Sequence, residues 1–242
     1  MSKSIKTHFL LFFCLSIQWT YASDFLFVSL GSICVPAGLI REAGLRTSAY
    51  MPFDWLCSQD GEKLIELLRE DFLNFFNQNY LTPHHTDNFL NTYYHLEFVH
   101  DQDIANDLRE KFFEKYKRRI ERFRQLENYE GTVIFLRYAS DVNPDFFYQF
   151  PECAEITDLY AIRLHKTLSE RFPKLNFNLL IINKGFNYIL GEERKIMDHV
   201  WSIRLSVLKN ASNPEGDQGK IRIAFRDYFI NENRLLHPKF EF

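Results

Sequence analysis

Cys34 is the residue of this sequence best placed to do chemistry. It follows Asp24-Phe25-Leu26-Phe27-Val28, a short apolar run that reads as a buried strand. Gly31 and Ser32 punctuate the chain. Val35, Leu39, Ile40 and Ala43 then recur at helical spacing up to Gly44, a residue type that ends many helices. Pro36 fits the first turn of that helix, where a missing N–H costs nothing. Cys34 therefore belongs on a strand-to-helix turn at a helix N-terminus, where backbone N–H groups stabilise an anion. A thiol there loses its proton more readily and becomes nucleophilic. The bland alternative is a buried, inert cysteine, since the residue type is among the most buried.

Other residue types in the chain could assist or replace that chemistry. His100 closes the run Thr92-Tyr93-Tyr94-His95-Leu96-Glu97-Phe98-Val99, read as a strand, and a strand end can present a base. Asp54 stands between Phe53 and Trp55 after Pro52. It is either a hydrogen-bonding plug or the wall of a pocket. Lys115, Lys117, Arg118, Arg119, Arg122 and Arg124 fall on the polar faces of a long helix. They form a solvated basic face or a patch for an acidic ligand. His84 and His85 are adjacent, which points them to different sides, and no further ligand stands at metal-binding spacing. They read as a solvated loop, and no metal or cofactor is expected.

These residues need elements to position them. Leu64, Leu67, Leu68, Phe72, Phe75 and Phe76 mark a helix over about 61–77. Ile104, Leu108, Phe112, Tyr116, Ile120 and Phe123 mark a second, amphipathic one. Thr132-Val133-Ile134-Phe135-Leu136-Arg137 is a buried strand, followed by the loop Ser140-Asp141-Val142-Asn143-Pro144. A helix from Pro151 to about Arg171 leads into another apolar strand, Leu175 to Ile182. Strand, helix, strand in that order predicts a parallel pair with a right-handed crossover. Trp201, Ile203, Leu205 and Val207, then Ile221, Ile223 and Phe225, alternate as two late strands would. The loop between them holds Asn210-Ala211-Ser212, a glycosylation acceptor in a secreted protein. There is no internal repeat or linker. The expectation is an α/β fold: a single layered domain over 23–242, with a mixed, largely parallel sheet flanked by helices.

Composition narrows the function classes. The chain has 242 residues, 46% of them hydrophobic and 25% charged, enough for a sizeable core. A net charge of −3 argues against a nucleic-acid binder driven by phosphate contacts. Lys3 and Lys6, the apolar run from Phe9 to Ile17 and Ala22 read as a secretory signal over 1–22; an uncleaved membrane anchor is the alternative. Removing those residues leaves Cys34, Cys57 and Cys153. Cys57 pairs with Cys153 in one arrangement, leaving Cys34 as a thiol; in the other all three stay reduced.

Taken in order, Ser29-Leu30-Gly31-Ser32-Ile33-Cys34, Pro52-Phe53-Asp54-Trp55, Phe98-Val99-His100-Asp101 and Arg118-Arg119-Ile120-Glu121-Arg122-Phe123 before Val133-Ile134-Phe135-Leu136-Arg137 carry a resemblance. Over roughly 25–185 the chain resembles the putative papain-like cysteine peptidases, a family of largely uncharacterised domains. It departs from the family pattern at Gln102, where an aromatic follows the His-Asp pair. The resemblance implies that Cys34 is the nucleophile and His100 the base. The order Cys, His, acid is that of papain-like sites. Asp141 is the preferred acid and Asp54 its rival, because Asp101 on a strand would point away from His100. Ser32, Asp54, Trp55, Arg118, Arg119 and Arg137 are the candidate substrate-binding residues. A papain-like fold separates a helical part from an antiparallel sheet, which conflicts with the layered pattern read above.

Three functions follow. The first is a secreted thiol hydrolase acting on a peptide or another amide or ester. The second is a carbohydrate- or nucleotide-handling, transferase-like α/β protein whose arginines hold an anionic group. The third is a non-catalytic secreted interaction domain.

Overall fold

In the computed structural model, residues 25–58, 60–84, 88–101, 109–139, 158–185 and 192–206 are described. Strand β1 (Phe25–Ser29) sends its side chains alternately into two apolar layers. Leu26 and Val28 face the larger layer and Phe27 the smaller, as the period of two in a pleated strand requires. Two further strands repeat the pattern, β5 (Thr132–Ala139) and β6 (Asn176–Gly185). Val133 and Phe135 join Leu179 and Ile181 on one face, while Ile134 and Leu136 join Leu180 and Ile182 on the other. Strands buried on both faces read as unbroken apolar runs, which is how they appear in the sequence.

The last two strands are β7 (Glu192–Met197) and β8 (Val200–Ser206), and the sheet order is β1-β5-β6-β8-β7. β1, β5, β6 and β8 run parallel, and β7 pairs antiparallel with β8 at the edge. This is the expected mixed, largely parallel α/β sheet. Helix α1 (Val35–Glu42) covers the smaller layer. Helices α2 (Gly61–Arg69), α3 (Arg109–Arg124) and α4 (Asp158–Arg171) contribute to the larger one. Aromatic side chains fill that layer: Phe135 lies 6.2 Å from Phe123, 6.2 Å from Phe172 and 5.4 Å from Phe177 between ring centroids. Offset and edge-on pairs of this kind add to what buried area alone contributes.

Several elements differ from the sequence reading. The helix expected over 61–77 stops at Arg69, because Asp71 and Phe72 take left-handed backbone at φ 49° and 63°. The turn is held by Glu70, which accepts hydrogen bonds from Tyr93 Oη at 3.0 Å and Tyr94 Oη at 2.6 Å. The strand expected over 92–100 shrinks to β4 (Leu96–Glu97), since Asn91 and His95 (φ 52°) turn the chain just before it. It joins β2 (Leu81–His84) and β3 (Asn88–Asn91) in a small second sheet. His100 consequently sits in a turn rather than at a strand end. The expected late strand at 221–225 and the leader at 1–22 lie outside the described residues. No helix among the described residues is long and apolar enough to cross a membrane.

His165 ties α4 to the sheet: its ring lies 5.0 Å from Phe177 and 6.5 Å from His199, stacked on the latter. Burial, and then the neighbouring His199, push the His165 imidazole below its ordinary 6.5. The fold favours the neutral ring, so its contribution is present above 6.5 and lost as pH falls below it. His165→Gln should therefore reduce the drop in Tm between about pH 7.5 and about pH 5 by about 2–4 °C, read by scanning calorimetry.

Candidate functional site

The turn after β1 is built from backbone strain and short hydrogen bonds. Gly31 has φ 74° and Ser32, not a glycine, has φ 101°. Gly31 N–H donates to Ser29 Oγ at 3.0 Å. Ser32 N–H donates to Ser58 Oγ at 3.1 Å, and Ser58 N–H returns a bond to Ser32 O at 2.9 Å. A Cβ placed on Gly31 would come within 2.5 Å of Ser58 Oγ, so glycine is needed for space as well as for φ. The turn delivers Cys34 to the N-cap of α1, half-buried, with its carbonyl accepting the first helical bond from Gly38 N–H at 3.0 Å. Cys34 thus stands beyond the C-terminal end of β1, where parallel α/β sheets place their ligands.

Arg137 supports this turn from below. It is 1% exposed, and its guanidinium donates to Leu30 O at 2.9 Å, Ser58 Oγ at 3.0 Å and Ser58 O at 2.6 Å. Its two Nη groups are committed inside the fold. Ser32 is also buried, and its amide works in the same knot.

The other half of the site is the segment 55–58. Trp55 is half-buried. His100 packs edge-on against it at 5.5 Å, and the Arg41 guanidinium of α1 lies over it at 5.3 Å. Burial pushes the His100 imidazole below its ordinary value, favouring the neutral form that a general base needs. Cys57 exchanges two backbone hydrogen bonds with Glu97, at 2.8 and 3.0 Å. Its buried thiol is pushed well above the usual range by burial, and further by the charges of Glu97 and Cys34. Segment 55–58 therefore bears on both candidates: Trp55 holds His100, while Cys57 and Ser58 adjoin the Cys34 turn.

Asp54 is fully buried and behaves as the plug. Its Oδ2 accepts from Met51 N–H at 2.7 Å and Arg46 Nη1 at 2.9 Å. Burial raises its pKa, opposed by Arg46 and Arg119. Asp54 therefore holds the loop that carries Trp55 and has no exposure to a substrate. Arg119 is buried too, against Tyr50 and Tyr116. Arg122 spends two donors on Tyr50 O. Arg118 remains exposed and lines an open groove of about 650 Å³ with Phe72 and Phe76. Of these four arginines Arg118 alone is exposed, while Arg119 and Arg137 are buried and Arg122 is bonded to Tyr50 O.

Asp101 is buried and accepts from Tyr116 Oη at 2.8 Å, with Lys115 also against it. Asp141 and Cys153 lie outside the described residues. β5, which precedes Asp141, ends beside the Cys34 turn: Tyr138 N–H meets Gly31 O at 3.4 Å. Sequence reasoning missed Ser58, Cys57 and Glu97 as parts of the site. One signal was available for Ser58: an arginine inside an apolar strand must find acceptors somewhere. Among the described residues no group of three or more His, Cys, Asp or Glu side chains is arranged to hold a metal ion.

The family described as "Putative papain-like cysteine peptidase (DUF1796)" matches residues 25–185, which take in the small sheet, strands β1, β5 and β6 of the large one and the residues of this site described above. The chain belongs to that family. Among curated proteins, this family member is 26% identical over 201 residues to the uncharacterized protein R408 of Acanthamoeba polyphaga mimivirus, covering 72% of this chain and 86% of that one. No solved structure matches the peptidase-like chain.

Gly31→Ala tests the turn. Left-handed backbone for a residue with a Cβ costs about 1–3 kcal/mol, and Ser58 must also give way. The denaturation midpoint should fall accordingly in urea titrations, and Cys34 should alkylate at a changed rate because Ser58 and Ser32 carry its turn.

Proposed function

We propose that this protein is a secreted thiol hydrolase that cleaves an amide or ester with Cys34 as nucleophile and His100 as base. The observation that carries the reading is the half-buried thiol at the N-cap of α1, held by a strained turn that is bonded to Ser58 of the same segment whose Trp55 packs against His100. Strain in a turn that other elements hold fixed is characteristic of functional positions. Membership of a peptidase-like family supports the same class.

His100 takes the Cys34 proton, and the thiolate attacks the acyl carbon. The first-turn N–H groups of α1 receive the developing oxyanion, the interaction that removes much of the barrier in acyl transfer. The imidazolium then protonates the leaving amine or alcohol, and a thioester remains on Cys34. Water, deprotonated by His100, hydrolyses the thioester and restores the thiol. Asp141 is assigned to orient His100. Export through the leader at 1–22 completes the reading and places the enzyme outside the cytosol.

The test is the pH dependence of iodoacetamide alkylation at Cys34, followed by peptide mapping. The wild type should alkylate with a midpoint well below the ordinary thiol value of about 8.5, and His100→Ala should return it towards that value. An ordinary midpoint in both proteins would discard the hydrolase.

A further inference from the structure

Cys57 is a second thiol beside the turn that carries Cys34, and the hydrolytic cycle gives it no task. Two hydrogen bonds between Ser32 and Ser58 lay the chain at 57–58 along the chain at 32–34. On its other side Cys57 is fastened to Glu97 by a pair of backbone bonds, so its position is fixed from both directions. Burial, then Glu97 and Cys34, push the Cys57 thiol up, in keeping with that adjacency. Both residues carry thiols in this structure.

We propose that Cys57 is the resolving thiol of Cys34: a hydroperoxide oxidises Cys34, and Cys57 then closes a disulfide onto it. The proposal rests on the reactive Cys34 of the preceding reading and on no particular acyl substrate. The two sulfurs differ in the way the sequence of steps requires. Cys34 is half-buried at a helix N-terminus, where a thiolate is favoured and a peroxide can arrive. Cys57 is 7% exposed, so it is shielded from direct oxidation.

In the first step the Cys34 thiolate attacks a peroxide oxygen. The O–O bond breaks, hydroxide or alkoxide leaves and takes a proton, and Cys34 becomes a sulfenic acid. In the second, the Cys57 sulfur attacks the Cys34 sulfur. The S–O bond breaks, and the Cys57 proton departs with the hydroxide as water. Two electrons pass from the two sulfurs to the peroxide, and a thiol reductant reverses the change. The disulfide takes Cys34 out of hydrolysis while guarding it from irreversible oxidation to sulfinic acid. This protection suits a nucleophilic thiol that works in an oxidising compartment.

The full chain, its Cys57→Ser and Cys57→Ala variants, and His100→Ala are treated with hydrogen peroxide, with and without dimedone. Each is then mapped as peptides without reduction. In the wild type a Cys34–Cys57 cross-linked peptide is expected, with loss of Cys34 alkylation that dithiothreitol restores. Both Cys57 variants should instead accumulate the dimedone adduct and sulfinic acid at Cys34; two variants guard against one that folds poorly. A cross-link from either residue to Cys153, Cys34 left unoxidised, or equal sulfinic acid in wild type and variants would overturn the proposal. An ordinary thiol midpoint at Cys34 together with the Cys34–Cys57 cross-link would remove the hydrolase and leave the disulfide standing.

Discussion

Arg137 carries its charge at a position where its neighbours in β5 carry apolar side chains. A buried guanidinium without acceptors would cost several kcal/mol. Here Leu30 O, Ser58 Oγ and Ser58 O meet it, and they come from parts of the chain 107 and 79 residues away. The arrangement of the site depends on this contact. It clamps the turn after β1 to the segment 55–58, and through Ser58 it reaches the amide of Ser32. Once that knot is made, the direction of α1, the place of Cys34 and the seat of Trp55 under His100 follow from short connections.

A second polar cluster does the same work one layer further out. Asp54 and Arg46 tie the loop 46–54 to itself, and Arg122 takes hold of the same loop at Tyr50 O. Both clusters occur where the apolar core alone could not decide how the chain should run. The core beneath them is made of mutually packed phenylalanines, which supply burial in quantity but tolerate alternative packings. Buried polar groups, which must be satisfied, narrow the choice. The layered sheet that results has Cys34 beyond the C-terminal end of a parallel strand. In this it resembles a Rossmann-type ligand site more than the papain arrangement of a helical part facing an antiparallel sheet.

Local features of this fold were legible in the sequence, and the distant ones were not. The strand, turn and helix around Cys34 could be read because Gly31, Pro36 and the apolar spacing of α1 all lie within a dozen residues. β5 and β6 could be read because burial on both faces makes their runs apolar throughout. The clamp made by Arg137 was not legible because its partners are remote: in the sequence a cation near the end of a strand looks like a ligand-binding group. The length of α2 was overestimated because Phe72 and Phe75 keep helical spacing while the backbone between them and Arg69 turns left-handed. β7 was missed because Glu192-Glu193-Arg194-Lys195-Ile196-Met197 shows no alternation to detect.

That same strand has a consequence for how the molecule behaves among its copies. A parallel sheet ending in β8 would offer an edge carrying Val200, Trp201 and Ile203 to any passing strand. β7 folds back antiparallel over it and presents exposed Arg194 and Lys195 instead, with Arg194 also bonded to Asp158 of α4. Charged, inwardly anchored edge strands block the edge-to-edge addition that leads to fibrils. The charged hairpin covers the pairing groups of β8, so sequence changes that neutralise it would act on aggregation before they acted on the distant thiol.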